Sequence, residues 1–332
     1  MRRREFITGV LSAAMLSGAR AQSAAGAKRL AIYSPSEPSS LMQEDSTNRY
    51  YRALFAELRR LGQVSGETVT IERWGAEKAG IGAPALVEAV VRSNPDVIYI
   101  VGPGALLFKR ATDKIPIVAL TADPVAQGIA QNLARPGGNF TGVSVDTGPS
   151  IHGKRIALLR EIYPKLSKLA YVTLRGAWDG VQGPSVRAAA AATRTEVTPY
   201  LVEFPTTDAS YRDLIAGIRA GGADAVMIGD SPDVMAKREV IAVQIASSAL
   251  PAIYPLSEFV DVGGLITYSF DLVELNKRAA NNIDAILRGA YPGDIPFYQA
   301  SKFELALNLK TAKALSLEVP ATLLASADRV VE

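Results

Sequence analysis

Short apolar runs rich in β-branched residues recur along this chain, and each is followed by a longer stretch of helical periodicity. The first five are Arg29–Tyr33, Thr68–Trp74, Val97–Val101, Ile117–Leu120 and Gly142–Val145. A second five follow at Lys168–Val172, Thr198–Val202, Ala225–Ile228, Ala252–Tyr254 and Gly264–Thr267. Between them lie predicted helices such as Thr47–Leu61, with Tyr50, Leu54, Leu58 and Leu61 on one stripe, and Tyr211–Ala220. Strands that are apolar throughout and separated by helices must be covered on both faces, which calls for parallel sheets. Right-handed crossovers then give a doubly wound α/β architecture.

The two sets echo each other. Pro95-Asp96-Val97-Ile98-Tyr99-Ile100 runs into Gly102-Pro103-Gly104, and Ala223-Asp224-Ala225-Val226-Met227-Ile228 runs into Gly229-Asp230-Ser231-Pro232. Each unit ends on a strand opened by proline, Pro116 and Pro251, where the missing N–H does least harm. Two similar lobes are therefore expected, with a ligand cleft between them. Pro136-Gly137-Gly138-Asn139 demands a turn and leads to the first crossing between lobes. A helix from Asp271 to Arg288 and a strand at Phe303–Leu309 have too few partners to form a domain, so they should cross to the first lobe and return. The expected organisation is an export signal over 1–22, one lobe from 28–144 plus 271–300, and a second from 145–270 plus 301–332.

The signal reading rests on three parts. Arg2-Arg3-Arg4 precedes an apolar segment, and Ala19-Arg20-Ala21 supplies a small-x-small cleavage site. Arg3-Arg4-x-Phe6-Ile7 also fits the twin-arginine form, which exports folded protein. The apolar segment, of roughly 13 residues, is shorter than the ~20 that cross a bilayer as a helix. The mature chain is thus expected in the periplasm, beginning near Gln22. Hydrophobic residues make up 48% of the chain and charged ones 21%, enough for sizeable cores without disorder. The formal charge of +3 is carried by the leader's four arginines less Glu5. A near-neutral mature chain gives no footprint for nucleic acid.

Cys is 0 and His is 1, which removes thiolate nucleophiles, disulfides and nearly all soft or imidazole metal ligands. No metal and no cofactor is expected. Walker A, Gly-x-Gly-x-x-Gly and Gly-x-Ser-x-Gly patterns are lacking. His152, the one imidazole, reads as a surface or helix-entry residue. The chain is therefore not read as an enzyme. In open parallel sheets, ligands settle beyond the carboxyl ends of the strands. The loops there supply the candidate ligand-binding residues. Ser36, Gly102, Pro103, Gly104, Thr121 and Asp123 come from the first lobe. Trp178, Asp230, Ser231, Tyr254, Glu258, Tyr268 and Asp271 follow in the second. Hydroxyls and loop N–H groups can fix a carboxylate, the acidic residues an ammonium or hydroxyls, and the rings an aromatic part.

At these residues the chain resembles the ABC-transporter substrate-binding proteins of the tryptophan/tyrosine-type group. The resemblance rests on Leu133-Ala134-Arg135-Pro136-Gly137-Gly138-Asn139-Phe140-Thr141-Gly142-Val143 and Asn308-Leu309-Lys310-Thr311-Ala312-Lys313-Ala314-Leu315. Ile115-Pro116-Ile117-Val118, Leu250-Pro251-Ala252-Ile253-Tyr254-Pro255 and Gly263-Gly264-Leu265-Ile266-Thr267-Tyr268 add to it. It implies a type I periplasmic-binding-protein fold with three hinge crossings. It also implies a monomer that closes over a small molecule, an amino acid or similar, and delivers it to an inner-membrane permease. The Leu-Ala-Arg-Pro-Gly-Gly-Asn stretch would be a hinge-approach turn. Two segments depart from the family pattern: Ser34–Ser40, with Pro35, Glu37 and Pro38, and Thr173–Pro184, with Arg175 and Trp178. Both segments should line the crevice, so a relative's ligand is not carried over to this chain. Two other readings stay open, a ligand-binding subunit of a membrane sensor and a periplasmic α/β hydrolase.

Overall fold

The computed structural model describes residues 26–102, 104–145 and 148–332. The expected export leader and Pro103 lie outside the described residues, as do Asp146 and Thr147. Among the described residues thirteen strands form two sheets. They are β1 (Lys28–Tyr33), β2 (Val69–Trp74), β3 (Val97–Val101), β4 (Ile117–Thr121), β5 (Phe140–Ser144), β6 (Lys168–Leu174) and β7 (Glu196–Val202). β8 (Ala225–Ile228), β9 (Ala252–Tyr254), β10 (Ile266–Phe270), β11 (Tyr298–Gln299), β12 (Phe303–Asn308) and β13 (Arg329–Val331) follow. The first sheet runs β11-β5-β4-β3-β1-β2, all parallel. The second runs β13-β12-β10-β9-β8-β6-β7, parallel from β10 to β7, with β12 antiparallel to β10.

The central strands are buried on both faces, as their unbroken apolar sequences require. Ile98, Tyr99 and Ile100 of β3, and all four residues of β8, are fully buried. Each such aliphatic side chain contributes about 2 kcal/mol by leaving water. One apolar cluster is shared by both halves, running from Leu30, Leu54 and Tyr99 to Val172, Tyr211 and Ala280. Each sheet's other face has its own core, around Phe108 in the first and Leu159 in the second.

Side-chain caps set the helix boundaries. The Asn48 carboxamide oxygen accepts the Tyr50 N–H at 2.9 Å and starts the helix Arg49–Arg60. A reciprocal Thr207–Ser210 capping box starts the next long example at Asp208, three residues before the expected Tyr211. After β5 the chain enters the helix Pro149–Ile162, which packs on Gly183–Ala192 beside the second sheet. After β10 the helix Leu272–Leu287 packs on Arg49–Arg60 and on β3, β4 and β5 of the first. β11 then joins the first sheet and β12 the second.

Several boundaries differ from the sequence reading. β10 begins at Ile266 instead of Gly264 and runs on to Phe270. β5 begins at Phe140 and ends at Ser144, paired along its length with β4. β11 and β13 were not expected; they are short edge strands without an apolar pattern. The Arg135–Asn139 turn packs against the loop before β11, with Phe297 N–H donating to Leu133 O at 2.8 Å and Gly137 N–H to Gly293 O at 3.2 Å.

Candidate functional site

A cavity of about 510 Å³ lies between the two sheets, lined from both. The first sheet contributes the loop after β1 (Tyr33, Pro35, Glu37), the first turn of Arg49–Arg60 and the loops after β3 and β4. The second contributes Gly180–Gln182, Asp230–Pro232, Leu256 and Phe270. The wall is mostly aliphatic and aromatic, with few polar groups.

Those polar groups are largely committed to the protein. Asp230 is held bidentately by Arg155, Nη1 donating to Oδ2 at 2.7 Å and Nη2 to Oδ1 at 2.9 Å. Arg155 is completely buried, and its Nε donates to Tyr268 O at 2.9 Å. Gln182 donates from Nε2 to Asp230 O at 2.7 Å, and its Oε1 accepts the hydroxyls of Tyr171 and Thr173. Asn276, on the helix Leu272–Leu287, accepts the Tyr99 hydroxyl at 2.9 Å and donates to Leu272 O. Thr121 donates to Gln127 Oε1 at 2.7 Å.

Glu37 differs. Its carboxylate is buried and accepts hydrogen bonds from Tyr51 Oη at 2.9 Å, Asn48 Nδ2 at 2.9 Å and Ser34 Oγ at 3.3 Å, with no ion pair. Burial raises its pKa, and these three donors oppose the rise only in part. Tyr33 is fully buried, its hydroxyl has no hydrogen-bond partner, and burial pushes its pKa up to about 12.

The two halves also touch each other directly. Gly102 has φ +87°, and a β-carbon there would come within 2.8 Å of the Pro232 ring. Arg49 reaches across to Ser257 Oγ at 2.7 Å and Glu258 Oε1 at 2.8 Å, with Glu304 at 3.6 Å.

Of the residues singled out by strand-end reasoning, Gly102, Gly104, Thr121, Asp230 and Ser231 line the cavity. Ser231 caps the helix Pro232–Ala236, its hydroxyl accepting the Val234 N–H at 3.1 Å. The others are used elsewhere. Trp178 is packed in the second core against Tyr171, with Arg187 over its ring. Tyr254 stacks on Phe259 at 4.6 Å, and Tyr268 on Phe303 at 5.3 Å. Asp123 accepts the Val125 and Ala126 N–H groups of its own turn, and Asp271 caps the helix Leu272–Leu287. Glu258 is taken by Arg49, and Ser36 does not line the cavity. His152 is no surface residue. It is buried in the first turn of Pro149–Ile162 and meets Tyr171 edge-on.

Glu37 and Gln182, from the two segments expected to line the crevice, line the cavity, and so do Tyr33, Tyr50 and Tyr51, which were not singled out. The available signal was the Asn48-Arg49-Tyr50-Tyr51 sequence, where a capping side chain and two hydroxyl-bearing rings stand at a helix N-terminus facing the strand ends.

Two parallel-stranded α/β sheets enclosing a solute-sized cavity define the class of type I periplasmic binding proteins. The sequence pattern of the family described as ABC transporter substrate binding protein matches residues 39–331, and the chain belongs to that family. A tyrosine-binding protein of Clostridioides difficile strain R20291 is 23% identical over 326 residues, covering 94% of this chain and 91% of that one. The crystal structure of a domain from Streptococcus pneumoniae in complex with L-Trp has a TM-score of 0.79 at 21% identity, covering 92% and 100% of the two chains. A conserved domain protein from Vibrio cholerae also gives 0.79, at 22% identity and 92% and 99% coverage. No helix among the described residues is long and apolar enough to cross a membrane.

Proposed function

We propose that this chain is the solute receptor of an ABC import system, working in the periplasm after export by its N-terminal signal, by the twin-arginine or the general route. The carrying observation is the cavity of about 510 Å³ lined from both sheets. A solute held there gains contacts with both halves only when they are closed, and shifts the hinge equilibrium by that differential affinity. The lobes would be 28–144 plus 271–300 and 145–270 plus 301–332, joined by three crossings. The closed form is what an inner-membrane permease would recognise, and a monomer suffices for that task.

The largely apolar wall, with Tyr50, Tyr51 and Phe270, suits an aromatic or branched aliphatic body better than a sugar. The ligands named for the relatives, tyrosine and L-Trp, agree with an amino acid or similar molecule. A binding role without catalysis fits side chains that are already saturated by one another.

A thermal-shift screen of the mature protein, freed of co-purified solute, tests this reading against amino acids, biogenic amines, sugars and organic acids. Binding to the folded state alone stabilises it by about 2.7 kcal/mol at a hundredfold excess over Kd. A shift confined to one chemical class is the expected result. A flat response across the panel counts against the receptor role.

A further inference from the structure

We propose that Glu37 receives a positively charged nitrogen of the solute, so that the cognate ligand is an amine with an apolar, aromatic or aliphatic body. This rests on the receptor reading above and names the charge of what the same cavity takes.

The argument is one of what the cavity leaves unsatisfied. A carboxylate offers about four acceptor positions. Glu37 fills two on Oε2, from Tyr51 and Ser34, and one on Oε1, from Asn48, which leaves one on Oε1. Tyr33, in the strand that leads to it, keeps a buried hydroxyl with no partner. The other charged group in the wall, Asp230, already has the Arg155 guanidinium on both oxygens. Asn276, Gln182 and Thr121 are likewise engaged.

Charge settles the class. Among the described residues no lysine, arginine or histidine lines the cavity. Arg238 lowers the Glu37 pKa through space only; its guanidinium bonds to Met235 O and lies beside Glu239. A buried carboxylate without a counter-ion is costly, and a cationic nitrogen at Oε1 removes that cost. An anionic group at the same place would add to it.

The test is titration calorimetry on mature protein freed of bound solute, with three kinds of probe. Tryptamine and tyramine carry the amine alone, L-tryptophan and L-tyrosine carry amine and carboxylate, and indole-3-propionate and 3-(4-hydroxyphenyl)propionate carry the carboxylate alone. The amine-bearing probes are expected to bind, and the deaminated acids about a hundredfold more weakly. Glu37→Gln should weaken amine binding by a similar factor and erase the preference. Glu37→Asp, which keeps the charge but draws it back from the cavity, should weaken amine binding about tenfold or less. The unfolding midpoint of each variant without solute checks that it folds; should Glu37→Gln fail there, Glu37→Asp must still weaken amines more than acids.

Equal binding of the deaminated acids overturns the proposal, as does an amine affinity unchanged in Glu37→Gln. Binding of neutral sugars or organic acids in place of amines overturns it too, while leaving the receptor reading intact. No binding of any solute class removes both.

Discussion

Arg155, with no exposed surface, grips both carboxylate oxygens of Asp230, at 2.7 and 2.9 Å, directly behind the cavity wall. The pair ties the helix Pro149–Ile162 to the loop after β8. It also neutralises the carboxylate that the sequence offers most openly to a ligand. Asp230→Ala leaves the guanidinium buried without its counter-ion and should cost about 3 kcal/mol, read as a lowered urea midpoint. Asp230→Asn retains part of the hydrogen bonding and should cost less. If Asp230 were instead the main contact for a solute ammonium, Asp230→Asn would lose binding with its unfolding midpoint unmoved.

Gly102 faces Pro232 across the cleft, at a φ that side chains rarely adopt. Gly102→Ala should cost about 1 kcal/mol in backbone strain and also hold the halves apart. Small-angle scattering of the variant should give a larger radius of gyration, with weaker solute binding. Adding Pro232→Gly should restore the compact form but not the strain cost. An unchanged radius in the single variant would mean that this contact does not limit closure.

The Arg49–Glu258 pair reaches across the cleft beside the cavity, partly exposed to solvent. Its contribution to closure should be about 1 kcal/mol and salt-sensitive. Arg49→Met is expected to weaken solute binding about fivefold, with the loss shrinking at high ionic strength. Glu258→Gln should lose less, because Arg49 keeps its Ser257 hydrogen bond. A much greater loss in Glu258→Gln than in Arg49→Met would return Glu258 to the list of direct ligand contacts.

His152 should contribute to a loss of stability in acid. Burial, with the Arg155 charge adding to it, lowers its pKa from 6.5 to about 4, while Asp230 pulls weakly the other way. The unfolded chain therefore takes up this proton first. Stability is whole above pH 6.5 and is lost as pH falls toward 4, by about 3 kcal/mol for this group. Glu37 works in the opposite sense. Its carboxyl is raised from 4.5, so its share is whole below that pH and declines as pH rises through the native value. Urea midpoints of wild type and His152→Gln, compared across pH 4 to 7, isolate the histidine because Glu37 is common to both. Parallel curves would show that His152 carries no such burden.

The fold was legible because the central strands, β3 and β8 among them, are apolar on both faces and need no partner to be recognised. β11 and β13 were not, since two or three half-exposed residues at an edge carry no pattern. The candidate site was legible by halves. Strand-end reasoning reached Gly102, Thr121 and Asp230, yet it took Trp178, Tyr254 and Tyr268 for ligand-facing rings. Sequence gives the distance of a ring from the strand end but not which side of the sheet it enters, and all three enter a core. The loop after β1 has no regular alternation to tell Ser36 from its neighbour Glu37, and it is Glu37 that lines the cavity. Arg155 was invisible as a counter-ion because a charged residue on a helix ordinarily faces water.

The return of the chain after β10 bears on how the molecule comes into being. The helix Leu272–Leu287 covers β3, β4 and β5, and β12 with β13 completes the edge of the other sheet. Neither half can bury its apolar surface until the ribosome has delivered residues beyond Asp271. During synthesis both therefore stay sticky together and finish together, late. Loss of the final segments would strip both halves at once, so quality control of this chain amounts to waiting for its end.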